Sequence, residues 1–187
     1  MARHRVCPWW LGYLLASPIR RFLQDPEKIL HPYVREGMAV LEPGPGMGFF
    51  TLELARRVGP SGRVVAVDIQ AKMLNSLKNR LSRAGLLDRV DIRLAKPDSI
   101  GLDDMPGAID FAFVFAVVHE LQSPDAFFME IAVSLKAGAR LLLVEPAGHV
   151  GASKFDAELV LADRAGLHCI ERPSLGRSHA ALLKKIE

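Results

Sequence analysis

The sequence predicts an α/β fold in which helices cover both faces of a mostly parallel sheet of seven strands. Five short apolar stretches have the length and composition of strands buried on both faces. Helical segments alternate with them, which indicates a parallel, doubly wound sheet. With 187 residues, of which 50% are hydrophobic, the chain can bury one core. We therefore expect a single domain over residues 1–187, with a helical extension at 1–36 and a core at 37–187.

The extension is expected to contain two helical pieces. Residues 8–23 are rich in Trp, Leu and Tyr at roughly helical spacing, and Gly12 and Pro18 interrupt them, which predicts a broken helix. Asp25 and Pro26 then have the residue types of an N-cap and a first helical position. A short helix toward Tyr33 is therefore expected.

The core is expected to alternate strands with helices and to end in an antiparallel hairpin. Glycines 85, 138 and 166 mark three helix ends. The piece at 96–108 is too short and broken for a full crossover helix. The five central strands are predicted at 38–42, 63–67, 89–94, 109–115 and 139–145, the helices at 47–58, 70–84, 124–135 and 153–164, and the hairpin strands at 167–172 and 179–186.

Composition excludes several classes of protein. A formal net charge of +3 does not indicate a nucleic-acid binder. Apolar runs such as 111–118 are far shorter than the roughly 20 residues that cross a bilayer, and the N-terminus lacks the apolar region of a signal peptide, so we expect a cytoplasmic protein without a membrane span. Cys7 and Cys169 lie far apart without a Cys/His grouping, so neither a disulfide framework nor a metal site is expected.

The most informative motif is a glycine-rich loop, Glu42-Pro-Gly-Pro-Gly-Met-Gly48, between a buried strand and a helix. Glycines let the backbone approach a ligand closely, and a helix N-terminus offers unpaired N–H groups. A dinucleotide loop of the type G-x-G-x-x-G would need glycine at position 49, where this chain has Phe49. Asp68 ends the next strand and suits the two hydroxyls of a ribose. This context favours a ligand site over the alternative, a simple tight turn.

The loop motif, the segment Val65-Ala-Val-Asp68 and the seven-strand ending resemble class I S-adenosylmethionine-dependent methyltransferases. More narrowly, the chain resembles their ubiquinone/menaquinone-biosynthesis-like branch, methyltransferase type 11/25, from about residue 28 to the C-terminus. The resemblance implies a Rossmann-like fold, S-adenosyl-L-methionine as cofactor and S-adenosyl-L-homocysteine as product. It also implies that Gly44, Pro45 and Gly46 line the methionine moiety and that Glu42 holds its amino group directly or through water.

At the adenosyl end, the resemblance implies that Asp68 takes the ribose hydroxyls while Ile69 and Met73 pack on adenine. For Ile69 and Met73, ordinary helix-start and core positions are an equal alternative. Many relatives place Gly-Asp after the third strand, and this chain has Ala95 and Lys96 there.

Because a lysine cannot accept a hydrogen bond, adenine recognition is expected from backbone groups around Ala95 and Lys96. The alternative is a displaced Asp98.

The segment after the fourth strand, from Phe115 to Glu120, lies where the related family places residues beside the methyl group. The resemblance implies a cofactor contact for Phe115, and His119 is a candidate base near neutral pH. Alternatively, His119 caps or packs the following loop, and Glu120 orients it or faces solvent. A base is not strictly required, since the cofactor already carries the activated group.

The sequence therefore predicts methyl transfer to a small-molecule acceptor by a monomer or homodimer that does not act on nucleic acid. The alternative is a catalytically inactive protein that binds the cofactor or its product as a sensor or partner subunit. An oxidoreductase and an RNA methyltransferase are further alternatives. The aromatic segment at 4–10 is expected either to fold over the cofactor cleft as a lid or to cover core or a dimer face.

Overall fold

The computed structural model describes residues 24–186, and the chain divides between Ala95 and Lys96 into two compact units. The expected single domain over 1–187 stays a prediction, and each unit is described by itself. The expectations for the broken helix at 8–23, the aromatic segment at 4–10 and Cys7 lie outside the described residues. No helix within residues 24–186 has both the length and the apolar composition needed to span a membrane.

The first unit contains three parallel strands in the order β3-β2-β1. Helix α1 begins as predicted, because the Asp25 side chain accepts a hydrogen bond from the N–H of Glu27 at 3.1 Å. The elements are α1 Pro26–Leu30, β1 Ala39–Pro43, α2 Thr51–Arg57, β2 Arg63–Asp68, α3 Ala71–Arg83, a 3-10 turn Leu87–Arg89 and β3 Val90–Leu94.

The parallel register places the two acidic residues of the predicted site at the carboxyl ends of adjacent strands. Leu41 pairs with Val65 and Pro43 with Val67, so Glu42 and Asp68 both lie at carboxyl ends. Apolar side chains of β1 and β2 are buried because helices cover them. The expectation that β3 is buried on both faces was wrong: its residues after Val90 are only partly buried or exposed, because β3 is the edge strand.

The second unit contains parallel strands β4 and β5, with β7 antiparallel between β5 and β6. The predicted terminal hairpin is confirmed, and its second strand is the inner one. The elements are β4 Ile109–Phe115, a 3-10 turn Val118–Glu120, α4 Pro124–Ser134, β5 Leu135–Pro146, α5 Ala152–Arg164, β6 Leu167–Glu171 and β7 Ser178–Lys185.

One helix start and one strand start were predicted wrongly. The helix expected from residue 47 begins at Thr51, because residues 46–50 form turns around glycines with positive φ. The helix predicted at 124–135 ends at Ser134, within one residue, but strand β5, expected from residue 139, begins at Leu135. The register between β4 and β5 shifts between Ile109 and Phe111, and Gly138, at φ +72°, lies in the resulting bulge.

The two units together supply seven strands, of which β7 is the antiparallel one. Helices separate successive parallel strands along the chain, except between β3 and β4. The predicted Rossmann-like, mostly parallel α/β fold is therefore confirmed.

Candidate functional site

The glycine-rich loop of the first unit is held by hydrogen bonds to β2. The N–H of Gly44 donates to the carbonyl of Val67 at 2.8 Å, and the N–H of Gly46 donates to Oδ2 of Asp68 at 3.2 Å. The N–H of Gly48 donates to the carbonyl of Pro45 at 2.9 Å. These three amides therefore have partners within the protein and fix the shape of the loop.

Gly46 and Gly48 have different roles within that loop. Both adopt positive φ, +55° and +83°, which side chains rarely tolerate. A Cβ at Gly48 would overlap Cδ1 of Leu77 on α3, so this glycine permits close packing of the loop on the helix. A Cβ at Gly46 would meet nothing within 4 Å. The space beside Gly46 is therefore open to a ligand.

Glu42 is a buried carboxyl group with an orphaned oxygen. Its Oε2 has no hydrogen-bond partner among the described residues. Burial raises the pKa of Glu42 to about 8, with the Thr51 side chain lowering it and the charge of Asp68 raising it further. The hydroxyl of Thr51 approaches the carboxyl group without reaching hydrogen-bond geometry. A positively charged donor would satisfy the oxygen and favour its ionised form.

Asp68 is buried at the end of β2 and links the loop to the following turn. Its Oδ1 accepts from the N–H of Gln70 at 2.8 Å, and its Oδ2 accepts from Gly46. Burial raises the pKa of Asp68, while the backbone donors at Gln70, Gly46 and Ile69 lower it. An ionised carboxylate has about four lone-pair sites, so two N–H bonds leave capacity for further donors.

The two predicted adenine-packing residues differ in exposure. Ile69 directly follows Asp68 and leaves 46% of its surface exposed, which is unusual for a large apolar side chain. Met73 lies in the core on α3 with 4% exposed. An exposed apolar side chain beside the carboxylate suits a flat aromatic ligand, whereas the burial of Met73 agrees with the core alternative.

At the turn after β3, the backbone N–H groups already have partners within the protein. The N–H of Ala95 donates to the carbonyl of Asp68 at 3.0 Å, and that of Lys96 to the carbonyl of Ser99 at 3.0 Å. The side chains of Lys96 and Asp98 are exposed. The sequence prediction of adenine recognition here therefore rests on carbonyl groups or on Asp98.

The second unit contains a polar cluster around His119, on the 3-10 turn after β4. The Nδ1 of His119 lies 2.6 Å from Oε2 of Glu145, and Oε1 of Glu145 accepts from the N–H of Val118 at 2.8 Å. Glu145 ends β5 and is completely buried. Its hydrogen bond raises the pKa of His119, while partial burial of the imidazole lowers it.

The backbone that leads to His119 is strained. Ala116 has φ +57°, in the left-handed region, and among the described non-glycine residues it alone has a positive φ. Its N–H donates to the carbonyl of Val144 at 2.8 Å, which holds this conformation. Phe115, the predicted cofactor contact, precedes it at the strand end, half-buried, with its ring centroid 6.0 Å from that of Phe113. Such strain is common at functional sites.

Residues 24–186 contain no group of three or more His, Cys, Asp and Glu side chains arranged to hold a metal ion.

Comparison with known proteins decides the family. Residues 41–143, more than half of the chain, match the methyltransferase domain family. The chain belongs to the methyltransferase domain family.

This methyltransferase is 32% identical over 112 residues to a ubiquinone/menaquinone biosynthesis C-methyltransferase of Hahella chejuensis, covering 60% of this chain and 44% of that protein. It is 30% identical over 139 residues to a catechol O-methyltransferase of Mycobacterium tuberculosis, covering 73% and 61%. A SAM dependent methyltransferase from Aquifex aeolicus superposes with a TM-score of 0.87 at 26% identity, covering 97% of this chain and 100% of the other.

These findings confirm the class I, ubiquinone/menaquinone-like assignment expected from the loop motif. The methyltransferase matches only 44% of the length of the ubiquinone/menaquinone relative.

Sequence reasoning missed two buried acids of the second unit, Glu145, which binds His119, and Glu158. Glu145 was expected only as a strand end, although it is followed by Pro146 just as Glu42 is followed by Pro43. An acid before proline at the end of a buried strand was the available signal. Glu158, on the inner face of α5, has both carboxylate oxygens buried without a partner among the described residues. Nothing in its helical context distinguished it from a surface glutamate.

Proposed function

We propose that this methyltransferase transfers the methyl group of S-adenosylmethionine to a small-molecule acceptor. The observation that carries the proposal is the buried, unpartnered Oε2 of Glu42, two residues before a glycine loop that Asp68 holds open at Gly46. When bound, the cofactor supplies a methyl group activated on a sulfonium. The protein then has to bind the cofactor and the acceptor, orient them and exclude water from the site.

The first unit has groups that match both ends of the cofactor. Glu42 would accept from the ammonium of the methionine moiety, and Gly44, Pro45 and Gly46 would line that moiety. A buried carboxyl group next to a cation regains its charge, so the ion pair forms in a site that water does not screen.

The adenosyl end would be held by the neighbouring strand ends. Asp68 keeps lone pairs for the two ribose hydroxyls after accepting its two N–H bonds. Ile69 offers exposed apolar surface to adenine, whereas the buried Met73 would act only by packing in the core. Carbonyl groups at Ala95 and Lys96, or Asp98, would accept from the adenine amine.

The acceptor is inferred to be a small molecule because the relatives are named for such reactions, catechol O-methylation and ubiquinone/menaquinone biosynthesis. Within the second unit, His119 is proposed as the base that removes a proton from the acceptor, and Phe115 as an apolar contact. General-base assistance of this kind contributes about 10²–10⁴-fold to rate.

Two measurements test the proposal. Calorimetry and thermal shift with S-adenosylmethionine, S-adenosylhomocysteine and NAD should show binding of the first two and none of NAD, because a ligand of the native state raises its stability. A panel of small-molecule acceptors incubated with methyl-labelled cofactor should then show label transfer to at least one. Binding without transfer to any acceptor supports the inactive sensor or partner subunit, and absence of binding by folded protein refutes the proposal.

A further inference from the structure

His119 and Glu145 form a pair whose geometry determines which imidazole nitrogen carries the proton. A fully buried carboxylate 2.6 Å from Nδ1 requires a donor there, because two acceptors at that distance would repel. Oε1 of the same carboxylate accepts from the N–H groups of Val118, at 2.8 Å, and His119, at 3.4 Å. One oxygen of the buried Glu145 carboxylate therefore accepts from backbone N–H groups, and the other accepts from the imidazole ring.

We propose that Glu145 is the positioning residue for His119, holding its ring as the Nδ1–H tautomer so that Nε2 is the proton acceptor of the reaction. This inference rests on the proposed function and names the base more closely. When the acceptor loses its proton, its O–H, S–H or C–H bond breaks and an N–H bond forms at Nε2. The imidazolium that results lies against the negative charge of Glu145, and the acceptor is left as the nucleophilic anion.

The surroundings of the ring are consistent with a base at Nε2. The nearest carboxylate to that nitrogen, Oε1 of Glu120, is 3.9 Å away, beyond hydrogen-bond distance. The exposed ring of His149 lies 5.7 Å from that of His119, centroid to centroid. From α5, the positive charge of Lys154 lowers the pKa of His119, against the rise caused by the hydrogen bond and the charges of Glu145 and Glu120.

The same geometry restricts the class of acceptor. A residue that accepts a proton is useful when the nucleophilic atom carries one, as in a hydroxyl, a thiol or an acidic carbon. A tertiary amine or a thioether needs no base. We therefore infer that the acceptor has an acidic proton at the atom that is methylated.

The tautomer can be measured without any acceptor. In protein labelled with ¹⁵N-histidine, two-bond ¹H–¹⁵N spectra above the pKa should show His119 protonated at Nδ1, with the resonance assigned from His119→Gln. In Glu145→Gln the pKa of His119 should fall, because the charge that favours the imidazolium is removed. Glu158→Gln is the matched control for the tautomer: it removes a second buried carboxyl group from the unit, one that interacts with His119 and Glu145 through its charge but has no bond to the ring. It should leave the tautomer unchanged.

The pH dependence of activity is the second readout. Glu145→Gln would not shift it if the pair with His119 were only structural. With an acceptor found in the panel, the acid limb of the rate against pH should move to lower pH in Glu145→Gln, with a lower plateau. A wild-type ring protonated at Nε2, an unchanged His119 pKa in Glu145→Gln, or an unchanged acid limb would each overturn the proposal. The wild-type spectrum decides the tautomer even where Glu145→Gln does not fold. The expected spectra in a protein that does not bind S-adenosylmethionine would refute the proposed function alone.

Discussion

Glu42 is a buried carboxyl group whose pKa is about 8, well above the ordinary value of 4.5. Between those two pH values the folded chain binds more protons than the unfolded chain at this group, so the free energy of unfolding falls as pH rises. The destabilisation is complete above about pH 8 and absent below 4.5. The charge that we propose for Glu42 in cofactor binding therefore lies where ionisation lowers the stability of the fold.

We expect Glu42→Gln to be more stable than the wild type at pH 8 and close to it at pH 5. The difference between the two pKa values of Glu42 limits this stabilisation to about 5 kcal/mol, and relaxation of solvent around the buried charge will reduce it. Urea unfolding at both pH values measures the difference. The exposed Glu36→Gln is the control, because it removes a carboxyl group that is not buried. Equal stabilisation by Glu42→Gln at both pH values would contradict the assigned burial effect.

Ala116 shows strain at a single backbone position. A left-handed conformation costs an alanine about 1–2 kcal/mol relative to glycine's freedom there. We expect Ala116→Gly to keep or raise the free energy of unfolding by up to about 1 kcal/mol, where alanine to glycine usually lowers it. The buried Ala112→Gly in β4 is the matched control and should be destabilising. Denaturant unfolding of both variants checks this, and a loss at Ala116 similar to that at Ala112 would count against the strain.

At the scale of the element, we expect one glycine of the loop to affect mainly stability and another to affect mainly ligand binding. Gly48→Ala should lower stability by about 2 kcal/mol or more, since its Cβ would overlap Leu77 and its φ is positive. Gly46→Ala should cost only the backbone strain, about 1 kcal/mol, and yet weaken cofactor binding at least about tenfold, a loss of roughly 1.4 kcal/mol.

Denaturant unfolding and calorimetry with S-adenosylhomocysteine measure the two effects separately. Because the two glycines are two residues apart in one loop, each variant is the control for the other. Unchanged affinity in a folded Gly46→Ala protein would show that the ligand does not approach the backbone there.

The elements also show where sequence patterns stop being informative. The pattern predicted the existence and order of the helices and strands, because apolar periodicity reflects which face is buried. It placed the start of the first core helix four residues too early and missed the bulge at Gly138. Both errors have the same cause: a glycine with positive φ looks the same in a sequence whether it ends a helix, shapes a loop or lies within a strand.

At the scale of the whole molecule, we expect cofactor binding to release a proton. The ammonium of the cofactor favours the ionised form of Glu42, so a group that is protonated at pH 7 must lose its proton. Affinity should therefore rise with pH up to about 8 and level off above it. Calorimetry at pH 7 in two buffers of different ionisation enthalpy measures the number of protons released. Glu42→Gln should release none, and an equal release by that variant would assign the proton to another group.

The sequence by itself determined the fold class, the glycine loop, the two acids at 42 and 68 and the family. Each depends on contacts between residues close in the chain or on a motif whose spacing is preserved in it. Only the tertiary structure decided that Asp68 binds the Gly46 amide and that Glu145 meets His119, 26 residues away. A side-chain hydrogen bond between strand ends depends on register and on burial to within an ångström, and no local pattern of residues carries that information.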